Sequence, residues 1–258
     1  MTRGLEFGSA LDIVEQAVRV LEDDPATNAG YGAVLNLEGV VELDAGIADG
    51  TTGYFGGVAN VTVRNPISLA RRVLEDTPHV LMTGAGAIAL GADMEQAQIA
   101  EPQKERWLAA RGTGALDPER FGSPEHVDTV GAVGLDARGR LAAGSSTGGV
   151  FGKMPGRVGD SPICGAGTYA SEMVAVVGTG IGEHFIEMLA AARVARLVEH
   201  GDHPQRACEE VVAYVQSRQA AEAGLLALDR RGRVGAAYCG SAWSVAGPEG
   251  PIRAARFR

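Results

Sequence analysis

The 258-residue chain is poor in aromatic residues and cysteine, and these shortages exclude several classes of protein. Phe, Trp and Tyr make up only 5% of the sequence, which leaves few rings for stacking single-stranded nucleic acid. The net charge of −9 argues against a nucleic-acid partner of any kind, because such a partner requires a basic face. Cys164, Cys208 and Cys239 form no CxxC pair, as is typical of a reducing compartment without a disulfide framework.

Long apolar runs are also missing. The chain starts without a signal-peptide core, and no run is long enough to span a bilayer, so we expect a cytoplasmic protein with no membrane partner. Hydrophobic residues nevertheless make up 45% of the sequence, enough for a large globular core. The abundant residue is glycine, at 37, which indicates many tight turns and close backbone approaches.

Apolar residues recur at helical spacing in five stretches. We predict helices over 9–23, 65–76, 103–111, 182–200 and 204–218. Ser9 caps the first, and Asn65 followed by Pro66 starts the second. Residues 112–126 are polar, contain Gly and Pro and lack periodicity, which predicts a loop or linker. The apolar stretch 173–177 predicts a strand.

Three short turns share one form, in which Asn or Asp begins the turn and Gly ends it. Each predicts a hairpin whose glycine takes the left-handed conformation. Apolar residues flank the turns on successive positions, as expected for strands covered on both faces. Hairpins combined with long helices predict a layered α+β sandwich. The turns are Asn36-Leu-Glu-Gly39, Asp136-Ala-Arg-Gly139 and Asp229-Arg-Arg-Gly232.

Two glycine-rich stretches are candidates for binding phosphate or an oxyanion. Gly84-Ala-Gly86-Ala-Ile-Ala89 matches the dinucleotide pattern GxGxxA after an apolar stretch, but the neighbouring hairpins argue against repeated βαβ units. Gly178-Thr-Gly-Ile-Gly182 lies between a strand and a helix. Its turn of backbone N–H groups suits an anion or an oxyanion.

Arg157 and Asp160 lie three residues apart in a loop bounded by Gly and Pro. One interpretation is a local ion pair. The other is a clamp for the α-carbon end of an amino acid, in which the guanidinium binds a carboxylate and the carboxylate binds an ammonium. The residues alone leave both open.

Thr129 follows the polar linker and begins an apolar strand. A lone threonine at such a position is usually just a β-branched strand residue. A threonine hydroxyl attacks poorly without a base, but its own α-amine can serve as that base if the chain is cut between Asp128 and Thr129.

Several motifs together resemble the plant-type L-asparaginase / isoaspartyl peptidase family of N-terminal-nucleophile hydrolases, which is related to glycosylasparaginase. The resemblance covers almost the whole chain in the right order. Its motifs are Val127-Asp-Thr-Val-Gly131, Ser145-Ser-Thr-Gly-Gly149, Pro155-Gly-Arg-Val-Gly-Asp-Ser-Pro162, Gly165-Ala-Gly-Thr-Tyr169 and Gly178-Thr-Gly180, with Asn28-Ala-Gly30 and Glu42-Leu-Asp-Ala45 in the first half.

The resemblance implies a four-layer αββα fold in one domain, residues 1–258, which cuts itself into chains 1–128 and 129–258. Thr129 would be both nucleophile and base, with Thr147 supporting it. Thr179 and the N–H of Gly180 would form the oxyanion hole. By the same family pattern, Arg157 and Asp160 would bind the carboxylate and ammonium of the substrate, and Asn28 would lie near the site.

The resemblance implies no cofactor for catalysis and a homodimer of cleaved units. It also suggests a structural sodium, although Thr27 stands where relatives often carry Phe. The proposed ligands are the backbone carbonyls of Leu21, Glu22, Asp24, Thr27, Ala29 and Tyr31.

The expected reaction is hydrolysis of the side-chain amide of L-asparagine and of β-aspartyl dipeptides, with release of L-aspartate. Asp128 before the nucleophile keeps glycosylasparaginase activity as an alternative. A catalytically silent relative that binds an amino acid is the other. The reason is that Met1–Gly8 leads almost directly into the first helix where relatives begin with a strand, whose loss would expose a sheet edge.

Overall fold

A computed structural model describes residues 8–113, 116, 129–219, 222–240 and 243–257. Its helices are α1 (Ala10–Glu22), α2 (Pro66–Asp76), α3 (Gly84–Leu90), α4 (Glu101–Ala110), α5 (Gly182–Met188), α6 (Ala190–Glu199) and α7 (Pro204–Gln219), with a short 3-10 turn at Gly30–Gly32. Its strands are β1 (Leu43–Asp49), β2 (Phe55–Val61), β3 (Leu81–Thr83), β4 (Val130–Leu135), β5 (Leu141–Thr147), β6 (Thr168–Ala170), β7 (Val174–Gly180), β8 (Ala223–Asp229), β9 (Val234–Cys239), β10 (Ala246–Gly247), β11 (Gly250–Pro251) and β12 (Ala255–Phe257).

Two five-stranded sheets form the centre of the described structure. The first has the order β3-β2-β1-β5-β4 and the second β12-β9-β8-β7-β6, while β10 and β11 form a separate pair. Neighbouring strands are antiparallel except for β2 with β3 and β9 with β12. Strands β4 and β5 of the first sheet pack on β6, β7 and β8 of the second. The two sheets therefore lie face to face.

Helices cover both outer faces. Helices α1 and α2 pack on the first sheet, and α6 and α7 pack on the second. One buried cluster lies on each helix-covered face, and a third lies between the sheets around Phe55, Leu141 and Val177. This is the four-layer αββα sandwich, and the prediction of an α+β sandwich is confirmed. Within the described ranges, no helix is long and apolar enough to cross a membrane.

The first two helices begin where the sequence predicts, but with different caps. The Ser9 hydroxyl accepts a hydrogen bond from the Asp12 N–H at 3.2 Å, as an N-cap should. Asn65 makes no such bond and instead donates to Glu22 at 3.1 Å. The Glu22 carboxylate accepts the N–H of Ile67 at 3.0 Å and so caps α2 from the end of α1. Burial raises the pKa of Glu22 to about 8.

The turns at Asp136 and Asp229 connect β4 to β5 and β8 to β9, as predicted, with Gly139 at φ +77° and Gly232 at φ +76°. The prediction of a hairpin at Asn36–Gly39 is wrong. The turn forms, but its flanks are not strands. The N–H of Val34 donates to the side chain of Asn28 at 3.0 Å, and the carbonyl of Leu35 accepts the N–H of Gly152 at 2.8 Å.

The single helix predicted over 182–200 is also wrong, because it is two helices. Leu189 lies between α5 and α6 with φ +49°. The N–H groups of Ala191 and Ala192, which would continue the helical ladder, donate to the carbonyls of Ala166 and Gly165, both at 2.9 Å. The other expected elements form with small shifts, since α4 begins at Glu101 and β7 extends to Gly180. The expected loop over 112–126 and the start of the chain before Gly8 fall mostly outside the described residues.

Candidate active site

The ends of three neighbouring strands bring Thr129, Thr147 and Asp44 into one row. Val130 pairs with Ser146 across β4 and β5, so Thr129, one residue before β4, lies level with Thr147. On the other side of β5, Thr147 pairs with Asp44 of β1. Thr147 is buried, and its hydroxyl accepts the N–H of Gly149 at 2.9 Å. Asp128 lies outside the described residues.

Thr129 also contacts the second sheet. Its backbone N–H donates to the hydroxyl of Thr179 on β7 at 3.3 Å. This nitrogen is the atom that would become an α-amine if the chain were cut before Thr129. The structure therefore brings together three threonines that the sequence separates, Thr129, Thr147 and Thr179.

Gly180 is the next residue on β7, and only glycine fits there. A Cβ at Gly180 would lie 2.5 Å from the ring of Phe185 and 2.8 Å from the carbonyl oxygen of Glu222. Phe185 is fully buried, so the ring has no room to retreat. The close packing fixes the backbone directly after Thr179, where a preorganised N–H donor would have to be held.

Arg157 pairs with a residue that sequence reasoning missed. Its Nε and Nη2 donate to the two carboxylate oxygens of Glu183 on α5, at 2.9 and 2.8 Å. Burial lowers the pKa of Arg157, but these hydrogen bonds more than compensate and raise it overall. The only sequence signal for Glu183 is an acid in the first turn of a helix, which is common.

Asp160 is a buried carboxylate, 2% exposed. Its Oδ2 has no hydrogen-bond partner within the described part of the chain. Burial raises the pKa of Asp160 to about 7, and the charges of Glu183 and Asp44 add to that rise. A buried carboxylate with an unsatisfied oxygen is suited to bind a cationic group, which would lower its pKa again.

Two glycines make room for this carboxylate. A Cβ at Gly167 would lie 2.5 Å from Oδ2 of Asp160, and a Cβ at Gly182 would lie 3.1 Å from Oδ1 and 2.8 Å from Nη2 of Arg157. The charged ends of Arg157 and Asp160 thus both lie against Gly182. The structure brings the two predicted clamp residues to one place.

Asp44 is a second residue that sequence reasoning missed. It is fully buried, its Oδ1 accepts the N–H of Asn60 at 3.0 Å, and its Oδ2 accepts the N–H of Gly159 at 2.9 Å. Asn60 in turn donates from its side chain to the carbonyl of Arg157 at 3.2 Å. Asp44 therefore holds the loop between Arg157 and Asp160. The available signal was a carboxylate inside an apolar strand, which is rarely buried without a partner.

Lys153 is the largest fully buried side chain of this region. Its ammonium donates to the carbonyl of Glu42 at 2.7 Å. Burial lowers the pKa of Lys153, and the neighbouring charge of Asp44 partly opposes that effect. This hydrogen bond connects the segment before Arg157 to Glu42, the residue before β1, and helps to hold the loop that carries Arg157 and Asp160.

Asn28 forms hydrogen bonds with the residues that follow β5. Its amide Nδ2 donates to the carbonyl of Gly149 at 2.7 Å, and its Oδ1 accepts the N–H of Val34 at 3.0 Å. Its own carbonyl accepts the N–H of Gly148 at 2.8 Å. Through these contacts, Asn28 holds the backbone that follows Thr147 in place. Its predicted place among substrate-binding residues stays a prediction.

In the predicted sodium loop, hydrogen-bond donors of the loop itself already contact carbonyl groups that were predicted to bind sodium. The hydroxyl of Thr27 lies 2.5 Å from the carbonyl of Leu21 and 3.1 Å from that of Asp24, and the carbonyl of Ala29 accepts the N–H of Gly32 at 3.1 Å. A cation in this ring would have to displace the Thr27 hydroxyl. The loop as folded does not fit the ion, and no step of the reaction is assigned to sodium. The sodium that the resemblance implies is untested, and from the closed loop we expect the wild type to bind none.

The dinucleotide pattern does form a strand followed directly by a helix, with Gly84, the first helical residue, at φ +56°. However, β3 lies at the opposite edge of the first sheet from β4, where Thr129 is. The helix α3 that follows has only seven residues. This segment therefore belongs to a different part of the molecule from the threonine row.

Comparisons with known proteins show the family of the chain. An asparaginase family model matches residues 4–247. The isoaspartyl peptidase of Escherichia coli (strain K12) is 46% identical over 244 residues, which cover 89% of this chain and 76% of that protein. The isoaspartyl peptidase/L-asparaginase of Mus musculus is 42% identical over 87% of this chain and 71% of its own length. The plant-type L-asparaginase of Pyrococcus furiosus is 43% identical over 90% of this chain and 81% of its own. The chain therefore belongs to the asparaginase family, among the isoaspartyl peptidases and plant-type L-asparaginases.

Proposed function

We propose that this protein is a threonine amidohydrolase that cleaves the side-chain amide of L-asparagine and the isoaspartyl bond of β-aspartyl dipeptides, releasing L-aspartate. The observation that carries the proposal is the position of Thr129. Its nitrogen lies 3.3 Å from the Thr179 hydroxyl, and the residue lies level with Thr147. The activities printed in the names of the relatives support the same substrates.

The first step is cleavage of the chain before Thr129. The Oγ of Thr129 adds to the carbonyl carbon of Asp128, the C–N bond breaks, and the nitrogen takes a proton to leave an ester. Water then hydrolyses the ester, which yields a carboxylate on Asp128 and a free amine and hydroxyl on Thr129. The two chains are 1–128 and 129–258.

In the second step the same hydroxyl attacks the side-chain carbonyl of the substrate. The α-amine takes the hydroxyl proton and passes it to the leaving nitrogen. An unperturbed α-amine has a pKa of roughly 7.7–8.0, so a useful fraction is neutral near pH 7. Thr179 and the N–H of Gly180 stabilise the oxyanion. Water then releases L-aspartate from the acyl-enzyme.

The substrate is held by its α-carbon end. Asp160 binds the ammonium through its otherwise unsatisfied oxygen, and Arg157 binds the carboxylate. Glu183 accepts hydrogen bonds from Nε and Nη2 of Arg157 and so fixes the orientation of the guanidinium that binds the substrate carboxylate. Gly149 and Gly159 lie close to Nη1 of Arg157, since a Cβ there would lie 3.1 and 2.9 Å from it.

The homodimer of cleaved units is proposed on the resemblance of the motifs to the family, and sedimentation of the purified protein measures it. The cytoplasmic location stays a prediction from the sequence.

A denaturing gel combined with an activity assay tests the mechanism. Purified protein should show two bands, for 1–128 and 129–258, and should release ammonia from L-asparagine. Thr129→Ala should stay as one band without activity. The control is Thr51→Ala, in the exposed turn between β1 and β2, which should be cut and active like the wild type. Full activity in an uncut wild-type chain would refute the mechanism.

A further inference from the structure

Asn60, near the end of β2, has a backbone conformation that side chains rarely adopt. Its φ is +52°, and among the described non-glycine residues only Leu189 shares a positive φ. The left-handed region is unfavourable for L-residues, although Asn tolerates it better than most because its short side chain can form local hydrogen bonds. Such conformations persist only where the surrounding structure fixes them, and they are concentrated at functional sites.

Asn60 lies in a β-bulge between the first two strands. The register of β1 with β2 shifts between Leu43 and Ala45. Asp44, the one residue between them, therefore faces two residues of β2, Ala59 and Asn60. An extra residue of this kind disrupts the ladder locally and changes the direction of a side chain. The bulge thus frees the polar groups of Asn60 for partners other than the backbone of β1.

The two donors of Asn60 have different partners. Its backbone N–H donates to Oδ1 of Asp44 at 3.0 Å, and its side-chain Nδ2 donates to the backbone carbonyl of Arg157 at 3.2 Å. The other carboxylate oxygen of Asp44 accepts the N–H of Gly159 at 2.9 Å. Asn60 therefore connects β1 to the backbone of Arg157 itself.

The two residues of the clamp are held by different contacts. The guanidinium of Arg157 is oriented by Glu183, and its carbonyl is held by Asn60. The carbonyl of Asp160 instead accepts the N–H groups of Ile163 and Gly167, at 3.0 and 3.1 Å, within its own turn. The hydrogen bond from the Asn60 side chain therefore supports the Arg157 half of the clamp.

We propose that Asn60 is a positioning residue for the α-carboxylate of the substrate and that it acts through Arg157. The inference rests on the proposed function and deepens it, because it assigns selectivity for the carboxylate and for the ammonium to separate supports. Holding the carbonyl of Arg157 limits the movement of its backbone, so the guanidinium stays where Glu183 orients it. Loss of the Asn60 amide weakens the interaction with the substrate carboxylate and leaves that with the ammonium intact.

The test measures kcat/KM of the self-cleaved protein on L-asparagine, asparagine amide and N-acetyl-asparagine. Asn60→Gly tolerates the positive φ and keeps the N–H to Asp44, but it has no side chain to reach Arg157. Its kcat/KM for L-asparagine and for N-acetyl-asparagine should fall by about three- to tenfold, the effect of one hydrogen bond. Asparagine amide lacks the carboxylate, so its kcat/KM should not change. The ratio of L-asparagine to asparagine amide should therefore fall by the same factor.

A second variant keeps the shape of the side chain. Asn60→Asp also tolerates a positive φ, but its carboxylate has no N–H to donate, so the same ratio should fall. The control is Thr62→Ala, at the residue after β2, which removes a hydrogen bond of 3.0 Å from the Thr62 hydroxyl to the side-chain oxygen of Gln96. The control should keep all ratios of the wild type.

The outcomes separate the two proposals. A wild-type ratio of L-asparagine to asparagine amide in either Asn60 variant would overturn the positioning role while hydrolysis itself stands. An equal loss on all three substrates would also overturn it, because general damage to the fold has that effect. If the cleaved wild type releases ammonia from none of the three substrates, the proposed function fails, and this inference fails with it.

Discussion

Replacing Asp160 by Asn should make the protein more stable at alkaline pH and nearly inactive. In the folded chain, burial raises the pKa of Asp160 from its ordinary value of 3.8 to about 7. The favourable contribution of the protonated acid to stability is therefore complete below pH 3.8 and is lost as the pH rises through about 7. Asparagine resembles the protonated acid at every pH, so the variant avoids that loss.

The magnitude follows from the pKa. A rise from 3.8 to about 7 corresponds to roughly 4 kcal/mol at high pH, at about 1.4 kcal/mol per pKa unit, and we take this as an upper bound. The same substitution weakens the binding of the substrate. An ammonium left without its buried carboxylate costs about 2–5 kcal/mol, which is about 30- to 4,000-fold in kcat/KM. In the wild type, kcat/KM should fall as the pH drops below about 7, because Asp160 must be ionised to bind the ammonium.

Thermal unfolding at pH 5 and pH 9 and ammonia release from L-asparagine measure the two effects. The control is Asp136→Asn in the turn between β4 and β5. Burial tends to raise the pKa of Asp136, but hydrogen bonds from the Arg140 and Arg138 N–H groups and the Arg140 side chain lower it overall. That variant should lose about 1–2 kcal/mol of stability and keep its kcat/KM. If Asp160→Asn retains kcat/KM within a factor of about three, the proposed ammonium site is refuted.

Four further experiments have defined outcomes. Thr179→Ala should lower kcat by about 10²–10³ at nearly unchanged KM, and a change confined to KM would show that the hydroxyl binds only the ground state. Arg157→Lys should lose at least about tenfold in kcat/KM, because an ammonium cannot reproduce the bidentate fork. In the same ammonia-release assay, capped substrates, N-acetyl-asparagine and asparagine amide, should each react at least about a hundredfold more slowly than L-asparagine. Equal rates on capped and free asparagine would contradict the clamp. Exchanging sodium for potassium should leave the melting temperature of the wild type within about 1 °C, whereas Thr27→Val, which removes the hydroxyl from Leu21, should make sodium stabilising by about 2–4 °C. A sodium response in the wild type would contradict the closed loop.

Local sequence chemistry predicted the elements that depend only on neighbouring residues. The turns at Asp136 and Asp229 form because each carboxylate accepts N–H groups two and four residues ahead and the glycine adopts positive φ. The cap at Ser9 is equally local. In these places a few adjacent residues contain all the necessary information.

The features that the sequence did not predict depend on contacts between residues that are far apart in the chain. The helix breaks at Leu189 because carbonyls of residues 165 and 166 accept the N–H groups that follow it. Glu22 caps a helix that begins more than forty residues later in the chain. Asp44 and Glu183 hold Arg157 and its loop from another strand and another helix. No pattern of neighbouring residues encodes such contacts. The family motifs identified Thr129, Arg157 and Asp160. The residues that contact them could be identified only from the fold.

The pairing of β1 with β5 has a consequence for the proposed cut before Thr129. Strand β1 belongs to residues 1–128 and β5 to 129–258, and their ladder runs from Asp44 opposite Thr147 to Asp49 opposite Ala142 in the middle of the first sheet. Cleavage before Thr129 would therefore leave two chains that share one sheet. The two chains should elute together from a sizing column. Unfolding the cut protein becomes a dissociation. Recovery after denaturant should then depend on protein concentration, whereas the uncut Thr129→Ala chain should refold independently of it. The proposed cut would have to follow folding, because the sheet that aligns Thr129 contains strands from both sides of the bond.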